Sequence, residues 1–147
     1  MIAKVQPYVV ADKPACLAIF DSNVSEFFDS TEREDFAAFL DNPGGEYFIL
    51  ERDGAVIGCG GFAKEDRGQA RFTWGMVDRN CHGQGLGRLL AEYRLQAIAD
   101  ADDYSEVELF TTPMVAPFFV KLGFAAAQVE KDGFAPGMDK VQMIKTL

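Results

Sequence analysis

Apolar residues recur along this chain with two periods, and the switches between them mark its elements. Residues 4–10 read as a first strand. Across 12–28, Cys16, Phe20, Val24 and Phe27 fall near helical spacing and predict one long helix. A second helix is expected from Thr31, because Thr31-Glu32-Arg33-Glu34 has the form of a capping box, hydroxyl first and carboxylate three residues on. Phe36, Phe39 and Leu40 give it an apolar face, and Asn42-Pro43-Gly44-Gly45 stops it. Strands over 46–52 and 55–62 flank Asp53-Gly54, a strong hairpin dipeptide.

From 69 to 77 the pattern alternates, with Ala70, Phe72, Trp74 and Met76 set against Gln69, Arg71 and Thr73. That predicts a half-buried strand. Leu86, Leu89, Leu90, Tyr93 and Ala97 then form a helical stripe that ends around 100–103. A short strand is expected at 106–110 and a short helix at 114–122, closed by Gly123. Strands at 124–130 and 139–146 finish the chain around an Asp132-Gly133 turn. The predicted order is β-α-α-β-β-β-α-β-α-β-β, an α/β (α+β) fold. Antiparallel hairpins come first, followed by a strand–loop–helix–strand crossover that must be parallel and right-handed.

The chain's 147 residues, 48% of them hydrophobic, suit one domain with its own core. No charged-then-apolar leader opens it, and no apolar run nears the ~20 residues of a membrane span. A cytoplasmic protein without membrane association is the expectation. Cys16, Cys59 and Cys81 are widely spaced, and with a single histidine they predict free thiols and no metal site. The net charge of −9 argues against nucleic acid as a partner. It suits a cationic substrate such as an amine, and equally a soluble surface.

The candidate chemistry centres on His82-Gly83-Gln84-Gly85-Leu86-Gly87-Arg88, between a strand and a helix. Glycines let backbone approach an anion closely, and a helix N-terminus offers unpaired N–H groups with partial positive charge. Arg88 adds a cation where the helix dipole disfavours one, which an external anion would explain. A P-loop is excluded because Gly87-Arg88-Leu89 lacks the Lys-Ser/Thr step, and the Gly83-x-Gly85-x-Gly87 spacing is not the dinucleotide fingerprint. A tight turn that simply wants glycine is the structural alternative.

Residues 82–87 resemble the signature loop Arg/Gln-x-x-Gly-x-Gly/Ala of the GNAT (Gcn5-related N-acetyltransferase) superfamily, with His82 in place of Arg or Gln. Phe119-Val120-Lys121-Leu122-Gly123-Phe124 is similar to the family's Tyr-x-Lys-Leu-Gly-Phe ending, and the family's Asn seven residues before the Tyr falls at Thr112. The element order agrees over essentially the whole chain. The resemblance implies one N-acetyltransferase domain over 1–147 with acetyl-CoA as co-substrate. Its pyrophosphate would lie on the main-chain amides of His82, Gly83, Gln84, Gly85, Leu86, Gly87 and Arg88. Met76 and Val77 would face the pantetheine arm and the acetyl carbonyl, and Thr112 and Phe119 would complete the cofactor site. Splaying of 69–77 from 106–110 would open the slot for the thioester. The acceptor would be a primary amine of a small molecule, peptide or protein. Family members are often homodimers, and no feature of this sequence fixes the oligomeric state.

Phe119 stands where the family usually has the tyrosine that protonates the departing thiolate. Three routes are open: water or another hydroxyl donates, the thiolate needs no acid, or the fold serves as a non-catalytic acyl-CoA-binding or sensing module. Thr111 and Thr112 are nearby hydroxyls, although Thr112 also suits a helix cap. For a general base, Glu108 lies on the strand beside the slot and Glu106 shares its face, where a solvated strand face is the plainer reading. Glu26 and Asp29 sit in the segment between the first two helices, where the resemblance implies an acceptor site that could attract an ammonium, and loop solubility explains them equally well. His82 suits phosphate or ribose contact, or a purely structural place. Cys81 lacks an evident histidine–carboxylate pair to make it a nucleophile. Trp74, Phe62, Phe27 and Phe28 suit either core or an acceptor pocket.

Overall fold

The computed structural model describes residues 2–147. Its strands are β1 (Lys4–Pro7), β2 (Glu46–Arg52), β3 (Ala55–Lys64), β4 (Gln69–Val77), β5 (Glu106–Thr111), β6 (Ala125–Ala135) and β7 (Met138–Thr146). The helices are α1 (Lys13–Ser22), α2 (Arg33–Asp41), α3 (Leu86–Ala101) and α4 (Ala116–Val120). All seven strands form one mixed sheet in the order β1-β2-β3-β4-β5-β7-β6. Every neighbouring pair is antiparallel except β4–β5, which is parallel as the crossover through α3 requires. Among the described residues, no helix is long and apolar enough to cross a membrane.

The sheet is covered on both faces. Along β2 the side chains alternate between two cores: Phe48 packs with Phe62, Phe72, Ile98 and Leu109 beside α3, while Tyr47 and Ile49 pack with Ile19, Phe20, Phe36 and Leu40 beneath α1 and α2. Burial on both faces explains why β2 reads as a continuous apolar run rather than an alternation. Asp53 and Gly54 both have positive φ (54° and 79°), the conformation that an Asp-Gly hairpin turn demands.

The sequence pattern misplaced several boundaries. The first strand ends at Pro7, and a single 3₁₀ turn over Val10–Asp12 leads into α1. The expected helix over 12–28 stops at Ser22, and residues 23–28 form a loop held by Phe27 and Phe28 amides donating to the Asn23 carbonyl. The capping box lies two residues earlier than expected. Asp29 accepts from the Thr31 amide, and Glu32 reaches back to the Asp29 amide, both at 3.0 Å. The last hairpin turns at Pro136-Gly137, while Asp132 has positive φ within a bulge of β6. There the Asp132 carboxylate accepts from the Gly137 amide at 2.7 Å, which an Asp-Gly turn in the sequence could not distinguish from a turn of its own.

The α1–α2 layer is anchored by Phe36, which is fully buried with its ring 4.9 Å from Trp74. Truncation of Phe36 to Ala is expected to cost about 3–5 kcal/mol. Urea unfolding should show a lower midpoint at unchanged slope, and a loss below about 1 kcal/mol would mean that this layer is not cooperatively packed.

Candidate functional site

Strands β4 and β5 pair only over Gln69–Arg71 and Glu106–Glu108. Beyond that point β4 follows β3 and β5 follows β7, so the sheet opens into a wedge, as anticipated for residues 69–77 and 106–110. A bulge sharpens the divergence. Cys59 pairs with Met76 and Gly61 with Thr73, so Trp74 and Gly75 together oppose the single residue Gly60, and Trp74 takes φ 37°. The Tyr47 hydroxyl donates to the Trp74 carbonyl at 2.7 Å and fixes the bulge from the neighbouring strand. Burial holds the Tyr47 phenol well above its ordinary range, so it remains a donor.

The wedge is the floor of a cavity of about 1080 Å³ that runs from the N-terminus of α3 to the loop before α2. At one end, Gly83 and Gly85 have φ 77° and 78°, and a β-carbon at either would meet open space. Gly85 precedes the first turn of α3, no side chain caps that turn, and its first helical bond is Leu89 N–H to the Gly85 carbonyl. The preceding amides of α3 therefore point outward with the positive end of the helix dipole, a ready anion seat.

Side chains of this loop are tied to the protein instead. The His82 Nε2–H donates to the Val77 carbonyl at 2.9 Å, and its ring packs 5.1 Å from Phe27. The same carbonyl accepts from Asn23 Nδ2 at 3.0 Å. Two donors thus occupy the Val77 oxygen expected to face the pantetheine arm, and His82 has the structural place. Gln84 accepts from Arg52 at 2.7 Å and does not line the cavity. Arg88, largely exposed, pairs with Glu92 one turn on. Leu86 and Met76 are buried and line the wall. Cys81 lines it too, with Arg52 3.7 Å from its sulfur.

At the centre, Thr112 is 8% exposed, and its Oγ1 is buried without a hydrogen-bond partner among the described residues. Its carbonyl, not its hydroxyl, starts the next turn by accepting from Val115 and Ala116. Thr73 Oγ1 across the wedge is likewise unpartnered among the described residues. Phe119 lines the cavity and packs edge-on against Phe124 at 5.7 Å.

Glu108 is buried but does not line the cavity. Its oxygens accept from Arg71 Nε at 2.7 Å and Gln142 Nε2 at 2.6 Å, so it is neither a solvated nor a free carboxylate. Glu106 accepts from Gln69, Glu26 pairs with Arg79 and Asp29 caps the approach to α2.

At the far end of the cavity, Phe27, Phe28 and Trp74 were among the residues singled out, whereas Phe39, Glu32 and Lys140 were not foreseen. Phe27, Phe28, Phe39 and Trp74 form an aromatic wall there, while Phe62 belongs to the core. Lys140 lies 4.7 Å from the centre of the Phe110 ring and 5.7 Å from that of Phe134. Glu32, whose carboxyl is raised above its usual range mainly by burial, lines the same mouth. Arg94 of α3 was also missed. The expected stripe is right at Leu86 and Leu90, but it also named Leu89 and Tyr93, which are exposed, whereas the buried line continues through Ala91, Arg94 and Ile98. A lone charge at i+4 spacing between buried leucine and isoleucine was the available signal.

Comparison with known proteins decides the family. The acetyltransferase (GNAT) domain family model matches residues 16–147. The chain belongs to the GNAT acetyltransferase family. Among solved structures, a GNAT-family protein from Desulfovibrio desulfuricans superposes with TM-score 0.83 at 18% identity, covering 99% of each chain. The ribosomal-protein-S18-alanine N-acetyltransferase of Escherichia coli gives TM-score 0.83 at 17% identity, over 99% of this chain and 94% of that one. A Salmonella typhimurium protein solved with acetyl-CoA as its cofactor gives 0.77 at 17% identity, over 100% and 95%. No curated protein sequence matches the chain. At these identities the structures establish a shared GNAT fold.

Because the Tyr47 hydroxyl braces the bulge, Tyr47→Phe is expected to lose about 1 kcal/mol of stability. Trp74 is the only tryptophan, so its emission should shift in the same variant. Unchanged emission and stability would show that the bulge holds without this bond.

Proposed function

We propose that this GNAT domain binds acetyl-CoA along the β4–β5 wedge and transfers the acetyl group directly to a primary amine. The observation that carries the proposal is the conjunction of an uncapped α3 N-terminus, approached by the two left-handed glycines Gly83 and Gly85, with a wedge leading away from it. A pyrophosphate needs several converging donors and no side chain in its way, and this loop fits it. When bound, acetyl-CoA supplies the activated thioester.

The chain's own residues then have distinct tasks. The amides of Gly85, Leu86, Gly87 and Arg88 hold phosphate, while the side chains of His82 and Gln84 brace the loop rather than touch the ligand. Met76 and the bulged backbone beside it orient the thioester carbonyl by main-chain hydrogen bonding. Thr112 and Thr73 offer their unpartnered hydroxyls inside the wedge, and Phe119 closes it against water. Positioning carries much of the rate in a direct transfer. Glu108 has a positioning task through Arg71. The amine enters past the aromatic wall and Glu32, where a partly buried carboxyl and the overall acidity favour a cation. Phe119 favours a second reading, an acyl-CoA-binding module without turnover. Release of CoA thiol with polyamines, amino acids or peptide N-termini above the no-amine rate supports the enzyme, and binding without turnover for all of them supports the module.

Gly85→Asp tests the cradle. The position is open, so the fold should lose only the about 1–2 kcal/mol of a left-handed non-glycine residue. Acetyl-CoA affinity by calorimetry should fall at least about tenfold, or 1.4 kcal/mol. Unchanged affinity would remove the cradle assignment.

A further inference from the structure

A guanidinium taken out of water costs several kcal/mol unless an anion or a full set of acceptors replaces its hydration. Arg94 is 4% exposed, and its acceptors are two carbonyls at long range: Leu90 at 3.4 Å from Nε and Gly61 at 3.3 Å from Nη1. The Phe72 ring covers one face, its centre 3.9 Å from the guanidinium carbon. Among the described residues no carboxylate pairs with Arg94, and its hydrogen bonds run from Nε and Nη1 to main-chain carbonyls alone. Tyr47 from β2 and Cys59 from β3 face it with a phenol and a thiol. The backbone nevertheless makes room: a β-carbon on Gly75 would lie 2.9 Å from Nη2, and one on Gly60 would lie 3.2 Å from the guanidinium carbon. Burial lowers its pKa to about 10, so the group is charged at neutral pH.

This unanswered cation lines the same cavity as Phe119. It lies two turns into α3, about 10 Å along the helix axis from Gly87, well within the length of a pantetheine arm. Phe72 beneath the guanidinium is 5.8 Å from Phe124, against which Phe119 packs.

We propose that Arg94 is a standing counter-ion for the thiolate that leaves in acetyl transfer, replacing the proton donor that Phe119 cannot be. The proposal rests on the acyl-CoA reading of the cavity. In the transfer, the amine lone pair forms the bond to the carbonyl carbon. The carbon–sulfur bond breaks with its electron pair going to sulfur, and the surplus amine proton passes to water. Arg94 stabilises the negative sulfur by charge alone and gives up no proton. An opposite charge held close in a poorly solvated site favours the ionised thiol.

The test reads the thiol itself and needs no turnover. CoA bound to the protein is titrated by ultraviolet thiolate absorbance. The desulfo-CoA complex serves as blank, so that Cys16, Cys59 and Cys81 cancel, and calorimetry reports occupancy in parallel. His82 and Arg88 near the cradle, with Glu32, Glu65, Arg71, Glu108 and Lys140 toward the acceptor end, remain in place in every variant. In the wild type the bound thiol should titrate about one unit or more below free CoA. Arg94→Gln should return it to the free value or above, and Arg94→Lys should keep it low. Bound CoA with an unshifted thiol in the wild type overturns the counter-ion role and leaves the site reading standing. Arg94→Gln that binds CoA with the wild-type titration does the same. Absence of CoA binding by the wild type overturns both. Should Arg94→Gln not fold, the wild-type and Arg94→Lys titrations still decide.

Discussion

Two parallel strands that begin paired and then part leave backbone groups and a gap that something must fill. In this chain β4 and β5 share three residue pairs, after which the Trp74–Gly75 bulge turns β4 toward β3 while β5 stays with β7. Most of the molecule serves to keep that gap open without collapse. The hydroxyl of Tyr47 ties the bulge to β2, Phe36 supports Trp74 from α2, and Arg94 presses against the bulge from α3. The outer edges of the wedge are secured by β7 on one side and by the β2–β3 hairpin on the other.

Helix α3 joins the wedge to the anion seat. It follows β4 after the loop 78–85, so the crossover that makes β4 and β5 parallel also directs uncapped amides toward the mouth of the gap. The loop between them is rigid for reasons separate from ligand contact. Val77 receives His82 and Asn23, Arg52 holds Gln84, and Asp78 accepts from the Asn80 amide. A preorganised loop loses little freedom on binding, which favours affinity. Its polar side chains face the protein and leave the backbone as the recognising surface.

Much of this was legible in the residues. Glycines at 83 and 85 next to a strand end signal a backbone that approaches something, and Asp53-Gly54 fixes a hairpin wherever it occurs between apolar runs. The wedge itself followed from the family resemblance of residues 82–87 and 119–124. Local chemistry misled where two solutions share one pattern. Asp29 and Glu32 compete with Thr31 and Glu34 for the same cap, and the structure uses the Asp29–Glu32 pair. Asp132-Gly133 resembles a turn, but the hairpin closes at Gly137 because the Asp132 carboxylate caps the Gly137 amide. Arg94 was hidden because the stripe, correct at Leu86 and Leu90, was continued through apolar Tyr93 rather than through the charged residue beside it, and Tyr93 is exposed while Arg94 is buried. The long-range partners of Glu108, Arg71 and Gln142, lie on strands whose adjacency only the sheet order reveals.

The claim on which the rest stands is that one ligand spans the α3 cradle and the β4–β5 wedge. Backbone amide chemical shifts followed during an acetyl-CoA titration measure this residue by residue. Perturbations should concentrate at Gly83, Gly85, Leu86, Gly87 and Arg88, and continue through Gly75 and Met76 to Thr112. No perturbation at saturating acetyl-CoA, or perturbations confined to surfaces away from the cradle and the wedge, would contradict an acetyl-CoA site there.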